Sequence, residues 1–264
     1  MSLTTALTTK NLTLSIAQKL ICEKLDISFN PGEFWGIMGV NGVGKTTLLQ
    51  TLIGLRNANH GAITLNQKGI QDYKRIILAK HMGLMLQEYE YNFPCTVMEA
   101  TLIGRHPFIH NWQWEDKQDR QLAQEALKTV GLLDLSERSI NTLSGGEKRR
   151  LNLATLLTQN PDYYLLDEPV NHLDIKAQLE ILSLLQQQFS ENKQCGIMVI
   201  HDPNMAYRFC DHILLLFNDG QWLSGATAEI LTSDNLSQLY DCPIHQLNDG
   251  DHTLFIPLEN EKLI

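Results

Sequence analysis

Gly39-Val40-Asn41-Gly42-Val43-Gly44-Lys45-Thr46 has the spacing of a complete phosphate-binding loop. The apolar run Phe34-Trp35-Gly36-Ile37-Met38 precedes it and reads as a buried strand. Thr47-Leu48-Leu49-Gln50-Thr51-Leu52-Ile53 follows and reads as a helix start. The glycines let successive backbone N–H groups converge on a phosphate, and a helix N-terminus adds positive potential. Lys45 is expected to neutralise the β- and γ-phosphates, and the Thr46 hydroxyl to ligate Mg²⁺. A flexible glycine turn before a Lys-Thr pair would share the composition but not the strand–loop–helix context.

Working outward, residues 11–29 alternate apolar and polar side chains and read as paired strands. Pro31-Gly32 marks a turn, and Gly61-Ala62-Ile63-Thr64-Leu65 another strand. Met82-Gly83-Leu84-Met85-Leu86-Gln87 reads as a short buried strand ending in a glutamine. Helical periodicity takes over from about residue 96 to residue 157, with Val97, Ala100, Leu122, Ala126, Leu127 and Val130 on the apolar stripe. Strand signals return at residues 163–166, 196–200 and 212–217. The pattern is α/β, with a helical insertion inside a nucleotide-binding core.

Tyr163-Tyr164-Leu165-Leu166-Asp167-Glu168-Pro169 delivers two adjacent carboxylates to a strand end, where α/β sheets bind ligands. Asp167 suits the shell of Mg²⁺. Glu168 lies on the other side of the strand, where it can polarise a water attacking the γ-phosphate. Alone, such a pair is an ordinary solvated turn; the phosphate loop upstream changes its meaning. Between them stands Leu143-Ser144-Gly145-Gly146-Glu147. Ser144 with Glu147 makes a capping box, and the same capped N-terminus can offer N–H groups to an anion. The Lys148-Arg149-Arg150 run that follows reads as a solvated helix face.

Composition narrows the setting. The chain has 264 residues, 43% of them hydrophobic, enough for a packed core. Its longest apolar runs, such as residues 213–217, are too short to cross a bilayer, and residues 1–10 hold no apolar signal core, so a cytosolic location is expected. A net charge of −9 argues against nonspecific nucleic-acid binding. The five cysteines lack CxxC spacing and read as reduced thiols. The nine histidines lack ligand spacing, so Mg²⁺ carried with nucleotide is the only metal expected.

The phosphate loop, Gln87, residues 143–147, residues 165–169, Asn171-His172-Leu173-Asp174 and His201 occur in the order found in the ATP-binding cassette of ABC transporters. The chain resembles that family from about residue 12 to residue 239. The resemblance implies a P-loop NTPase core (RecA-like), an antiparallel β subdomain and an inserted α-helical signature subdomain. It divides the chain into one ATPase domain over residues 1–230 and a C-terminal extension over 231–264. The core would cover about 1–87 and 158–230, and the helical insertion about 88–157.

In that family two cassettes pair head to tail, with each ATP between the phosphate loop of one and the signature of the other. The resemblance therefore implies two copies around two MgATP. Gly39, Asn41, Gly42, Val43, Gly44, Lys45, Thr46 and Thr47 would hold the phosphates. Ser144, Gly145 and Gly146 would reach the γ-phosphate in trans, and Asp174 the partner cassette. Gln87 would touch Mg²⁺ and the attacking water, alongside Thr46 and Asp167 as metal contacts. His201 would clamp the γ-phosphate, and Glu168 would activate the water. One position departs from the pattern: Ile16 stands near where the family places an aromatic to stack on adenine.

Residues 92–100 and 103–108, and the tail Asn235-Leu236-Ser237-Gln238-Leu239-Tyr240 with Pro243, resemble the cassettes of bacterial importers for iron-siderophores, haem and cobalamin. That resemblance implies integral membrane permease subunits, an indirect link to a periplasmic or lipoprotein solute-binding protein, and a peripheral place on the inner face of the plasma membrane. Residues 88–114 carry Tyr89, Tyr91, Phe93, Phe108, Trp112 and Trp114 and are expected to dock the permease. The alternative is a soluble, non-transport ABC ATPase acting on the ribosome, which residues 171–174 also resemble; such proteins carry two cassettes joined by a charged linker, and this chain carries one.

Overall fold

The computed structural model describes residues 6–87, 94–109, 114–171, 173–250 and 252–258. In chain order it begins with β1 (Leu7–Ile16), β2 (Lys19–Phe29), β3 (Phe34–Met38), α1 (Lys45–Leu52), β4 (His60–Leu65), β5 (Lys68–Gly69), α2 (Arg75–His81) and β6 (Met82–Met85). The helices α3 (Val97–Leu102), α4 (Lys117–Thr129) and α5 (Gly145–Gln159) follow. Then come β7 (Tyr163–Asp167), α6 (Ile175–Asn192), β8 (Cys195–Val199), α7 (Pro203–Phe209), β9 (His212–Leu216) and β10 (Trp222–Ala226). The chain closes with α8 (Thr227–Ile230), α9 (Ser233–Tyr240), β11 (Ile244–Asp249) and β12 (His252–Pro257).

The strands form an antiparallel sheet in the order β2-β1-β4-β5, a sheet in the order β10-β9-β3-β8-β7-β6, and the hairpin β11-β12. In the second sheet β9, β3, β8, β7 and β6 run parallel and β10 is antiparallel to β9. Every residue of β3, β7 and β8 is buried, which is why these strands read as unbroken apolar runs. The alternation in β1 and β2 has the matching cause: Leu12, Leu14, Leu25 and Phe29 face the core between more exposed neighbours, and Ile21-Cys22 breaks the alternation with two buried residues in a row.

Register sets the site. Ile37 and Asp167 both pair with Val199, and Met85 pairs with Leu166. The C-terminal ends of β3, β6, β7 and β8 therefore lie level at one sheet edge. Residues 39–46, Gln87, Asp167-Glu168 and His201 leave that edge together, although up to 162 positions separate Gly39 from His201.

The two sheets are joined at Tyr163, the first residue of β7. Its buried Oη accepts from the Leu7 N–H at 3.1 Å and donates to the Phe29 carbonyl at 3.4 Å, so one phenol ties β7 to both β1 and β2. On the other face, α6 buries Ile181, Leu182, Leu185 and Phe189, and the Phe189 ring meets Phe34 edge-on at 5.0 Å.

Several elements differ from the expectation. Leu86 and Gln87 lie beyond β6, which ends at Met85. α6, β10 and the β11–β12 hairpin were not anticipated. Arg149 is 9% exposed, so the basic run after the signature is not a solvated face; α5 turns its second basic residue inward against Pro169 and the end of β7.

Candidate functional site

The phosphate loop leaves β3 at Gly39, which is buried. A Cβ there would stand 2.7 Å from the Leu216 carbonyl, so no larger residue fits this turn. Gly44 is the N-cap of α1 at φ 109°, with no side-chain cap, and its own Cβ would collide with Ile21. Val43 between them is fully buried, so only its backbone can serve a ligand. Asn41 and Gly42 are exposed at the crest of the loop.

Lys45 is buried and folds back on the loop, with Nζ donating to the carbonyls of Gly39 at 2.8 Å and Val40 at 3.1 Å. Burial lowers its pKa, opposed by the charges of Glu168 and Asp167. Thr46 Oγ1 donates to Asp167 Oδ2 at 2.7 Å. The other oxygen, Asp167 Oδ1, is buried without a hydrogen-bond partner. Burial raises the Asp167 pKa, opposed by the Thr46 hydroxyl and by Arg149 and Lys45. A hydroxyl and a carboxylate with a free buried oxygen, beside a phosphate loop, are a donor set that fits Mg²⁺.

Glu168 follows the last residue of β7 with φ 53°, a left-handed conformation that turns its side chain away from Asp167. Gln87 Nε2 donates to its Oε2 at 2.9 Å, Asn171 Nδ2 donates to the same oxygen, and His201 Nε2 lies 2.7 Å from Oε1. The sequence reading brought Gln87, Glu168 and His201 to one place, and the structure does too. It had given no role to Asn171, whose spacing three residues after Glu168 was the signal available.

Arg149 was also missed. Its guanidinium donates to the carbonyls of Gln87 at 2.6 Å, Asp167 at 3.1 Å, Pro169 at 3.3 Å and Glu168. One cation from α5 thus gathers the segments that carry Gln87 and Glu168. Burial lowers its pKa, and the Glu168 and Asp167 charges oppose this.

These groups line an open cleft of about 700 Å³ that runs from Asn41 and Thr47 past Lys45 and Gln87 to Glu168, Asn171 and His201, with Ile16, 41% exposed, at its mouth. Ser144, Gly145 and Gly146 do not line it. They open α5, where the Ser144 hydroxyl accepts from Glu147 N–H and Glu147 accepts from Ser144 N–H, the expected capping box. Asp174 caps α6 through the Ala177 N–H at 2.9 Å. Of the expected docking segment, Glu88, Tyr89, Tyr91, Phe93 and Trp112 lie outside the described residues. Trp114 is almost fully exposed, and Phe108 packs under Arg105 and Lys80.

A phosphate loop and a Mg²⁺-type carboxylate, side by side at the level ends of parallel strands, define the P-loop class of nucleoside triphosphatases. The sequence model of the ABC transporter family matches residues 22–171. The achromobactin transport ATP-binding protein CbrD of Dickeya dadantii (strain 3937) is 34% identical over 262 residues, covering 98% of this chain and 97% of that protein. The iron(3+)-hydroxamate import ATP-binding protein FhuC of Bacillus subtilis (strain 168) is 34% identical over 92% of this chain and 91% of its own length. Among solved structures, a metal-chelate type ABC transporter in an inward-facing conformation matches with TM-score 0.84 at 29% identity, over 98% of this chain and 99% of that one. A dimeric ATP-binding cassette bound to ADP and phosphate matches with TM-score 0.73 at 26% identity, over 84% and 98%. The chain belongs to the ABC transporter family and is an ATPase of that family.

Proposed function

We propose that this chain is the ATP-hydrolysing subunit of an importer for a metal chelate of the ferric-siderophore kind, working as two copies around two MgATP beneath a membrane permease. The observation that carries the reading is the Glu168 carboxylate, set at the edge of the phosphate-loop cleft with Gln87, Asn171 and His201 around it. The names of CbrD and FhuC, and the metal-chelate type transporter, supply the solute class. Among the described residues no helix is long and apolar enough to cross a membrane.

On binding, Lys45 exchanges the Gly39 and Val40 carbonyls for phosphate oxygens, and backbone N–H groups of residues 42–47 close around them. Thr46 and Asp167 would hold Mg²⁺, with Gln87 within reach; the ion screens the phosphate charge when bound. Glu168 orients a water for in-line attack on the γ-phosphorus and takes its proton, while the bond to the bridging oxygen breaks and ADP leaves. His201 supports the γ-phosphate. Ser144, Gly145 and Gly146, which do not line their own cleft, would serve the nucleotide of the second copy as the family resemblance implies, with Asp174 at the seam.

A groove of about 450 Å³ between β6, α3 and α5 is the docking place we assign to the permease. Leu55 and Ile103, 59% and 50% exposed, stand on its walls.

The test is complementation in the source organism, with the gene deleted and ferric siderophore as sole iron supply. Wild type should restore growth, and Glu168→Gln should fail while still binding MgATP, with turnover lower by about 10²–10⁴-fold. Growth restored by Glu168→Gln would refute the catalytic assignment. Growth of the deletion strain itself would refute the solute class.

A further inference from the structure

We propose that the C-terminal segment positions His201 for hydrolysis, with Tyr240 and Asn204 as the positioning residues. The proposal rests on the reading of His201 given above.

His201 occupies the short link between β8 and α7. On its inner side the imidazole meets Glu168. On the other side, Tyr240 at the end of α9 donates its Oη to the main-chain carbonyl of His201 at 3.3 Å. Burial pushes the Tyr240 phenol up to about 12, so it remains a donor at every pH where the protein works. Asp202 then caps α7 by accepting from Asn204 N–H at 2.8 Å. The Asn204 side chain reaches β12, where Oδ1 accepts from Phe255 N–H at 2.7 Å and Nδ2 donates to the Phe255 carbonyl at 3.3 Å. That is the pair of bonds a neighbouring strand would make. One turn along α7, the Tyr207 ring meets the Phe255 ring at 5.7 Å.

The extension that makes these contacts is itself anchored. Leu236, Leu239, Ile244 and Phe255 are buried in the main core. The Ile244 N–H donates to Ser237 Oγ at 2.8 Å, fixing β11 to α9. The extension thus coheres through apolar burial and its own polar bonds, and further polar bonds reach out to His201 and to the first turn of the helix after it. Those bonds restrain the backbone at His201, and the imidazole can then hold one orientation against Glu168. The phosphate loop lies on other strands and does not depend on them. Loosening the link should therefore lower the fraction of complexes poised to react, with little effect on nucleotide capture.

The experiment compares Tyr240→Phe, Asn204→Ala, His201→Ala and the double variant Tyr240→Phe/His201→Ala in the full chain, with thermal melting to confirm folding. Steady-state hydrolysis over a range of MgATP concentrations gives kcat and KM, and single-turnover hydrolysis of radiolabelled MgATP confirms the ratios for the slow variants. The removed hydroxyl is one neutral hydrogen bond, so kcat should fall by about threefold to tenfold in Tyr240→Phe with KM for MgATP within about twofold. Asn204→Ala should move kcat the same way. In the His201→Ala background, Tyr240→Phe should have no further effect, because its influence passes through His201. An unchanged kcat in Tyr240→Phe, or an equal fall with His201 already removed, overturns the proposal. If His201→Ala alone turns over like wild type, the role of His201 falls, and this proposal falls with it.

Discussion

Replacing Arg149 by alanine should cost both stability and turnover, because one guanidinium serves four carbonyls on two segments of chain. Residues 87 and 167–169 come from separate strand ends, and Arg149 on α5 bonds both. Its removal leaves buried acceptors unpaired and takes a cation away from Asp167 and Glu168. Breaking such a buried charged arrangement costs about 3–5 kcal/mol. At about 2–4 °C per kcal/mol for a chain of this size, the melting temperature should drop by roughly 6–20 °C. Arg149→Lys keeps the charge but not the planar fork, and should cost about 1–3 kcal/mol. Turnover should fall at least about tenfold in the alanine variant, with ATP affinity held within a few-fold, since the phosphate loop is built on β3 and α1. Circular dichroism melts and a fluorescent-nucleotide titration provide the measurements. An Arg149→Ala protein that melts within about 2 °C of wild type and hydrolyses ATP within about twofold would refute the reasoning.

Asp167 should show the opposite sign in stability. Burial raises its pKa, so the native state binds the proton more tightly than the unfolded chain, and ionisation at neutral pH destabilises the fold. Asp167→Asn should therefore raise the nucleotide-free melting temperature at pH 7 while removing Mg²⁺-dependent turnover; the gain should fade as pH falls through the raised pKa to the ordinary aspartate range. A lower melting temperature at pH 7 would contradict this. Ile16 offers an aliphatic side chain at the mouth of the cleft, so Ile16→Tyr should tighten ATP relative to inorganic triphosphate by up to about tenfold, read by calorimetry. Equal effects on both ligands would place the base elsewhere.

Wherever function is concentrated in local sequence, the chain was readable. The phosphate loop, the carboxylate pair at the end of β7 and the capping box at Ser144 are each short, and their chemistry follows from neighbours in the chain. Gln87 and His201 were harder, because each is a lone side chain at a strand end; only their order along the chain gave them meaning, and the level registers of β6, β7 and β8 then supplied the reason. Arg149 was misread for a definable cause. A basic run on a helix is normally solvated, and nothing local to residues 148–150 reveals four carbonyls arriving from residues 87 and 167–169. The final hairpin did leave a signal, Asn248-Asp249-Gly250 ahead of the apolar run Leu254-Phe255-Ile256, and Gly250 takes φ 57°. α6 likewise spaced Ile181, Leu185 and Phe189 along one stripe.

The Tyr163 rivet makes the nucleotide cleft a gauge. The antiparallel sheet brings Ile16, and the parallel sheet brings the phosphate loop and Asp167; the phenol fastens one to the other at the start of β7. The groups from the two sheets that meet at the cleft are thereby carried on one frame. On the function proposed here, a nucleotide one phosphate shorter would meet the same frame over most of its length and fall short at Gln87, Glu168 and His201. On that reading, the difference between the two nucleotides that a partner could sense would be a single phosphoryl group, felt at those three side chains.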